Sequence, residues 1–197
     1  MEEPLKTPAR FLFPAFSLLV LAALLGVPRY GVHVNGFTRK GGDIFMWIGR
    51  RSASKATYPG KLDQLAAGGI SAGVGVWETL LKECMEEACI LESVAVTARP
   101  VGTISYAYRQ QDAVYLECQF VFDLEVPEAF EPRVGDGEMQ EFFLWPLDKV
   151  KEAIAGEEFK PNCALVVLDF LLRNGSIDPD KGVCGAVGGT KPGMWGE

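Results

Sequence analysis

"GGISAGVGVWETLLKECMEEACI", residues 68–90, places glutamates at 83, 86 and 87 directly behind a glycine-rich run. Trp77, Leu80, Leu81, Cys84 and Ala88 recur at helical spacing, which predicts a helix over residues 77–88 with those side chains as its apolar stripe. A glycine loop over residues 68–75 precedes it. Positions three and four apart are neighbours on a helix, so Glu83 meets Glu86 and Glu87, while Glu86 and Glu87 diverge by about 100°. Carboxylates this close repel unless a cation lies between them. Mg²⁺ prefers such oxygen ligands and binds substrate phosphates at the same time. A solvated acidic face is the plain alternative. The glycine loop, where backbone can approach a ligand closely, and the cation at Lys82 favour a site.

The segments around this stretch intermix. "YGVHVNGF" (residues 30–37) reads as a strand ending at Asn-Gly, and "DIFMWIGRRS" (43–52) as a second strand closing on Arg50 and Arg51. Residues 53–67 read as a connection. Residues 93–109 and 113–126 read as strands around a turn. On the latter, Val114, Leu116, Cys118, Phe120, Phe122 and Leu124 share a face. A polar loop, a last strand at "EFFLWPL", and helices at "DKVKEAIA" and "NCALVVLDFLLRNG" follow. Strict βαβ alternation is absent, which predicts one α/β domain with a mixed sheet and helices on both faces.

The 197 residues suffice for one domain with its own core. A net charge of −7, with no basic run, argues against a nucleic-acid partner. Five cysteines, an odd number without a CxxC pair, point to a reducing compartment and away from disulfides or a zinc site. The single histidine, His33, argues against His-based catalytic arrays and reads as a satisfied strand residue. Residues 11–28 are apolar and uncharged, with three readings open: buried helix, membrane anchor or targeting segment. The buried helix is favoured over membrane contact. The expected organisation is an apolar segment over 1–28, a main domain over 29–176 and a Gly-rich tail over 177–197.

The motif G-x5-x-x7-K-E-C-x-E-E resembles the Nudix box, G-x5-E-x7-R-E-U-x-E-E-x-G-U with U aliphatic. Gly68 starts it, Lys82 stands for the arginine, and Glu83, Glu86 and Glu87 take the helix glutamates. Val74 replaces the first glutamate, Cys84 an aliphatic position and Cys89 the terminal glycine. "YGVHVNGF", "MWIGRRSASKATYPGKLDQLAAGG", "LLKECMEEACI" and "FKPNCALVVLDFLLRNG" are similar to the Nudix proteins associated with thiamine diphosphokinase and to plant organellar Nudix hydrolases. That subfamily also lacks the first glutamate and carries a further N-terminal region. Most of that region is absent here, so a shortened gene model is one reading.

The resemblance implies a Nudix-like α/β/α sandwich and a metal-dependent diphosphohydrolase. It implies a metal site of Mg²⁺ or Mn²⁺ on Glu83, Glu86, Glu87 and the Gly68 carbonyl, with Lys82 in the catalytic set. Glu138 or Glu141 is the candidate loop base. Arg50 or Arg51 is the candidate phosphate contact, with a structural ion pair as the alternative; Gly68 and Gly69 offer backbone to the substrate. The implied partner is a small-molecule diphosphate: thiamine diphosphate or its oxidised analogues first, 8-oxo-(d)GDP second. The implied compartment is cytoplasmic or organellar, plastid or mitochondrion. A Nudix-fold binding module without turnover stays open beside the enzyme, and so does an isomerase on the same fold, although no cysteine lies in a convincing motif for one.

Overall fold

A computed structural model describes residues 25–110 and 113–181. The expectations for residues 1–24 and for the tail beyond 181 lie outside them. The chain order is β1 (Arg29–Lys40), β2 (Asp43–Arg51), β3 (Leu62–Asp63), β4 (Ala66–Gly69), α1 (Val76–Ala88), α2 (Glu92–Ala95), β5 (Arg99–Gln110), β6 (Ala113–Glu125), β7 (Met139–Pro146), α3 (Leu147–Ala155) and α4 (Pro161–Arg173).

The seven described strands form one sheet with the central order β3-β2-β1-β6-β5, β4 pairing with β1 and β7 with β2. Only β1 and β6 run parallel among these pairs, so the sheet is mixed. β2 and β4 share one side of β1: Phe37–Lys40 pair with β2, and Gly31–Val34 with β4. This split brings the glycines of β4 beside the middle of the sheet.

β1 is buried on both faces, as a strand between two helical layers must be. Val32 and Val34 join Leu80, Cys84 and Ala88 of α1 in one core. Phe37 joins Val167, Phe170 and Leu171 of α4, with Val150 and Ile154 of α3, in the other. Helices therefore cover both faces, as the intermixed order of strands and helices led one to expect.

Several local expectations are corrected. β1 does not end at Asn35-Gly36 but runs on to Lys40. Asn35 is held by Gln64 Nε2 (2.6 Å) and Asp123 Oδ1 (3.0 Å), so it has no need of a turn. A Cβ on Gly36 would lie 2.1 Å from Leu65 Cδ2, so glycine here permits close packing. Residues 53–67 are not plain connection, because β3 and the start of β4 lie there. The stretch from 93 begins as the short helix α2, and β5 starts only at Arg99. The shared face of β6 is buried at Phe122 and Leu124 but open at Val114. Among the described residues no helix is long and apolar enough to cross a membrane.

Candidate active site

The three glutamates do not share one environment. Glu87 is 2% exposed on the buried side of α1, and its Oε2 accepts the Ala67 N–H at 2.8 Å. Burial pushes its carboxyl up to about 8; the charges of Asp63, Glu83 and Glu138 add to this, and the Ala67 N–H opposes it. Glu83 is half-buried against β4: a Cβ on Gly68 would lie 2.2 Å from Glu83 Cδ. Only glycine lets that backbone lie beside the carboxylate. Glu86 points outward, its side chain 46% exposed.

Lys82 bridges the outer pair, with Nζ 3.1 Å from Glu83 Oε1 and 3.0 Å from Glu86 Oε2. Both carboxylates hold the ammonium protonated above its ordinary range. Among the described residues no three His, Cys, Asp or Glu side chains converge into a ready metal cage. The donors nevertheless fit a hard cation. They are carboxylate oxygens beside a glycine backbone, and the innermost is buried where burial and neighbouring carboxylates disfavour its ionised form unless a cation lies beside it. Lys82, the cation now paired with two of these carboxylates, is exposed.

The helix end explains the box position of Cys89. Cys89 has φ 53°, the left-handed conformation that closes a helix, with its N–H on Met85 O and the Ile90 N–H on Cys84 O. The loop 133–138 takes the remaining carbonyls: Arg133 N–H donates to Ala88 O, Gly135 N–H to Glu87 O and Asp136 N–H to Glu86 O. Glu138 is thereby fixed near the glutamates, and its carboxylate meets Lys55 Nζ from the 52–58 loop.

The arginines divide. Arg51 is buried, and the phosphate contact expected of it is corrected. Its guanidinium is committed to Asp63 Oδ2 (2.8 Å), Thr57 O (2.8 Å) and Tyr58 O (3.1 Å), so each of its three nitrogens is engaged within the protein. Arg50 is half-buried; it donates to Gly60 O at 3.0 Å and lies 3.6 Å from Glu141. Glu141 sits on β7 opposite Arg50, so of the two loop candidates Glu138 is the one beside Glu87.

Asp63 anchors a buried polar network that the sequence did not reveal. Burial alone would raise its carboxyl, but Lys160 (3.5 Å), the Cys163 thiol (2.7 Å) and Arg51 together hold it down at about 2. His33 is buried on Gln64 and stays neutral, because burial and then Lys160 lower its pKa. Burial and Asp63 raise the Cys163 thiol well above its usual value, so it is no thiolate. Gln64, Lys160 and Ala67 were not singled out from the sequence. Only the polar residues of "KLDQLAAGG" breaking an otherwise buried strand carried a signal.

The chain matches the family model for the NUDIX domain over residues 27–163. The chain belongs to the Nudix family. It is 44% identical over 171 residues to "Nudix hydrolase 20, chloroplastic" of Arabidopsis thaliana, covering 85% of this chain and 46% of that protein. It is 43% identical to "Nudix hydrolase 24, chloroplastic" of the same plant, covering 85% of this chain and 47% of that one. The chain thus spans about half the length of these curated relatives. Among solved structures, the NUDIX domain of Shewanella oneidensis NrtR complexed with ADP ribose superposes with a TM-score of 0.58 at 12% identity. That match covers 74% of this chain and 87% of that one, a likeness of fold. The Nudix α/β/α sandwich is therefore both the observed architecture and that of the family.

Proposed function

We propose that the chain is a metal-dependent Nudix hydrolase that cleaves an organic diphosphate to its monophosphate and phosphate. The observation that carries the reading is the buried Glu87, crowded by Asp63, Glu83 and Glu138 at a glycine-floored edge of the sheet. A structural carboxylate of this kind would be costly; one kept for a cation is not. Glu83, Glu86 and Glu87, with the Gly68 carbonyl, would hold Mg²⁺ or Mn²⁺. Bound there, the ion neutralises diphosphate charge and lowers the pKa of water.

The chain's own residues do the rest. Gly68 and Gly69 let the diphosphate approach the backbone. Glu138, on a loop tied to the end of α1, accepts a proton from the attacking water. The water oxygen bonds to phosphorus, the bridging P–O bond breaks, and phosphate departs from the organic monophosphate. Burial holds the Glu87 carboxyl up at about 8, and a cation beside it would favour the ionised form. Lys82, which pairs with Glu83 and Glu86, would have to give up those contacts for the two carboxylates to hold the ion.

Thiamine diphosphate and its oxidised analogues are the first substrate class, on the strength of the subfamily resemblance, and 8-oxo-(d)GDP the second. The "chloroplastic" names of the two plant relatives support an organellar setting. A binding module without turnover is the second reading, favoured by Lys82 spanning two of the glutamates. Phosphate release with Mg²⁺ from thiamine diphosphate, oxythiamine diphosphate and 8-oxo-dGDP, together with AMP release from ADP-ribose, separates them. Turnover lost in Glu87→Gln supports the hydrolase. A folded, Mg²⁺-binding chain that turns over none of the four supports the binder.

A further inference from the structure

Two loops face each other beside the glutamates. The 52–58 loop is folded back by Arg51, which grips the Thr57 and Tyr58 carbonyls. The 133–138 loop is fixed to the end of α1 through Gly135 and Asp136. Between them lies a cleft of about 440 Å³ lined by Ser54, Lys55, Thr57, Asp136 and Glu138. The Ser52 N–H closes its floor on the Glu138 carbonyl at 2.9 Å, and Glu138 reaches across to Lys55 Nζ. Lys55 is thus the cation of this cleft, and the candidate loop base occupies it.

We propose that this cleft is a phosphate subsite in which Lys55, with the Ser54 and Thr57 hydroxyls, takes a substrate phosphate in exchange for the Glu138 carboxylate. The inference rests on the diphosphate reading above and adds a residue and a step to it. A half-exposed lysine–carboxylate pair is weak, so a doubly charged phosphate with three acceptor oxygens displaces a single carboxylate from it. The exchange does two things at once. It seats one end of the diphosphate against the loop tied to the Glu86 and Glu87 carbonyls, and it frees the Glu138 oxygen held by Lys55 when substrate is present. Without phosphate, Glu138 Oε2 is engaged by Lys55.

Binding of methylenediphosphonate, a non-hydrolysable diphosphate, to the full chain in the presence of Mg²⁺ tests the exchange by titration calorimetry. Lys55→Met weakens binding about tenfold or more, and Lys55→Arg retains most of it, with melting temperatures unchanged for both. Glu138→Gln tightens binding up to about fivefold, because the competitor for Lys55 is weakened, while kcat on a cleaved diphosphate falls. A Lys55→Met chain that binds as tightly as the parent overturns the proposal, as does weaker binding by Glu138→Gln, which would make Glu138 a metal ligand instead. Because binding is read without turnover, failure to cleave any diphosphate would remove the hydrolase reading and leave this subsite standing.

Discussion

The Glu87 carboxylate lies 2.8 Å from the Ala67 amide, so the innermost residue of the glutamate trio is tied to the edge strand β4. One hydrogen bond from a backbone N–H offsets only part of the cost of burying a charge. The site is therefore held in tension that a cation bound beside Glu87 would relieve.

Glu87→Gln relieves that tension. The amide oxygen can still accept the Ala67 N–H while the charge is gone. In divalent-free buffer the variant should melt a few degrees above the parent, corresponding to about 1–3 kcal/mol, and it should be inactive. The pH dependence has a definite sign. A carboxyl raised from 4.5 to about 8 contributes stability that is present below 4.5 and lost as pH rises through 8. The parent should weaken across that window in thermal melts, Mg²⁺ should cancel the loss, and the variant should be flat. A parent insensitive to both pH and Mg²⁺ would count against the site.

Gly68 and Gly69 are adjacent but not equivalent. A Cβ on Gly68 collides with Glu83, whereas one on Gly69 meets nothing within 4 Å. Gly68→Ala should cost about 1–3 kcal/mol in urea unfolding and suppress activity, while Gly69→Ala should leave stability nearly unchanged. Equal effects would show that Glu83 moves aside freely.

Asp63 sets the acid limit of the fold. Its carboxyl, held at about 2 against an ordinary 3.8, contributes stability above pH 3.8 that is lost as pH falls through 2. The contribution is about 2 kcal/mol. Asp63→Asn should reduce the acid-induced loss seen in the parent. Arg51→Met, which strands the buried Asp63 charge, should cost about 3–5 kcal/mol at neutral pH by denaturant titration.

Cys89 occupies a left-handed position that suits glycine. Cys89→Gly should stabilise the chain by up to about 1 kcal/mol, seen as a higher urea midpoint, with phosphate release unaltered.

Much of this was legible in the chain. The stripe Leu80, Cys84, Ala88 announced α1, and the alternation of Val32 and Val34 with His33 announced a strand, whereas the burial of His33 and Asn35 on its other face became visible only in the structure. Asn35-Gly36 misled because an Asn-Gly pair signals a turn only when nothing holds the asparagine side chain. Here Gln64 and Asp123 hold it.

The sequence by itself determined the spacing of the carboxylates and their place behind a glycine loop, because helical periodicity and backbone freedom are local properties. It did not determine which carboxylate turns inward, that Arg51 braces a loop where Arg50 stays near the surface, or that Lys55 and Glu138, 83 positions apart, close one cleft. Those outcomes depend on what packs against each side chain. Burial, and with it the free energy of every charge, is a property of the assembled layers.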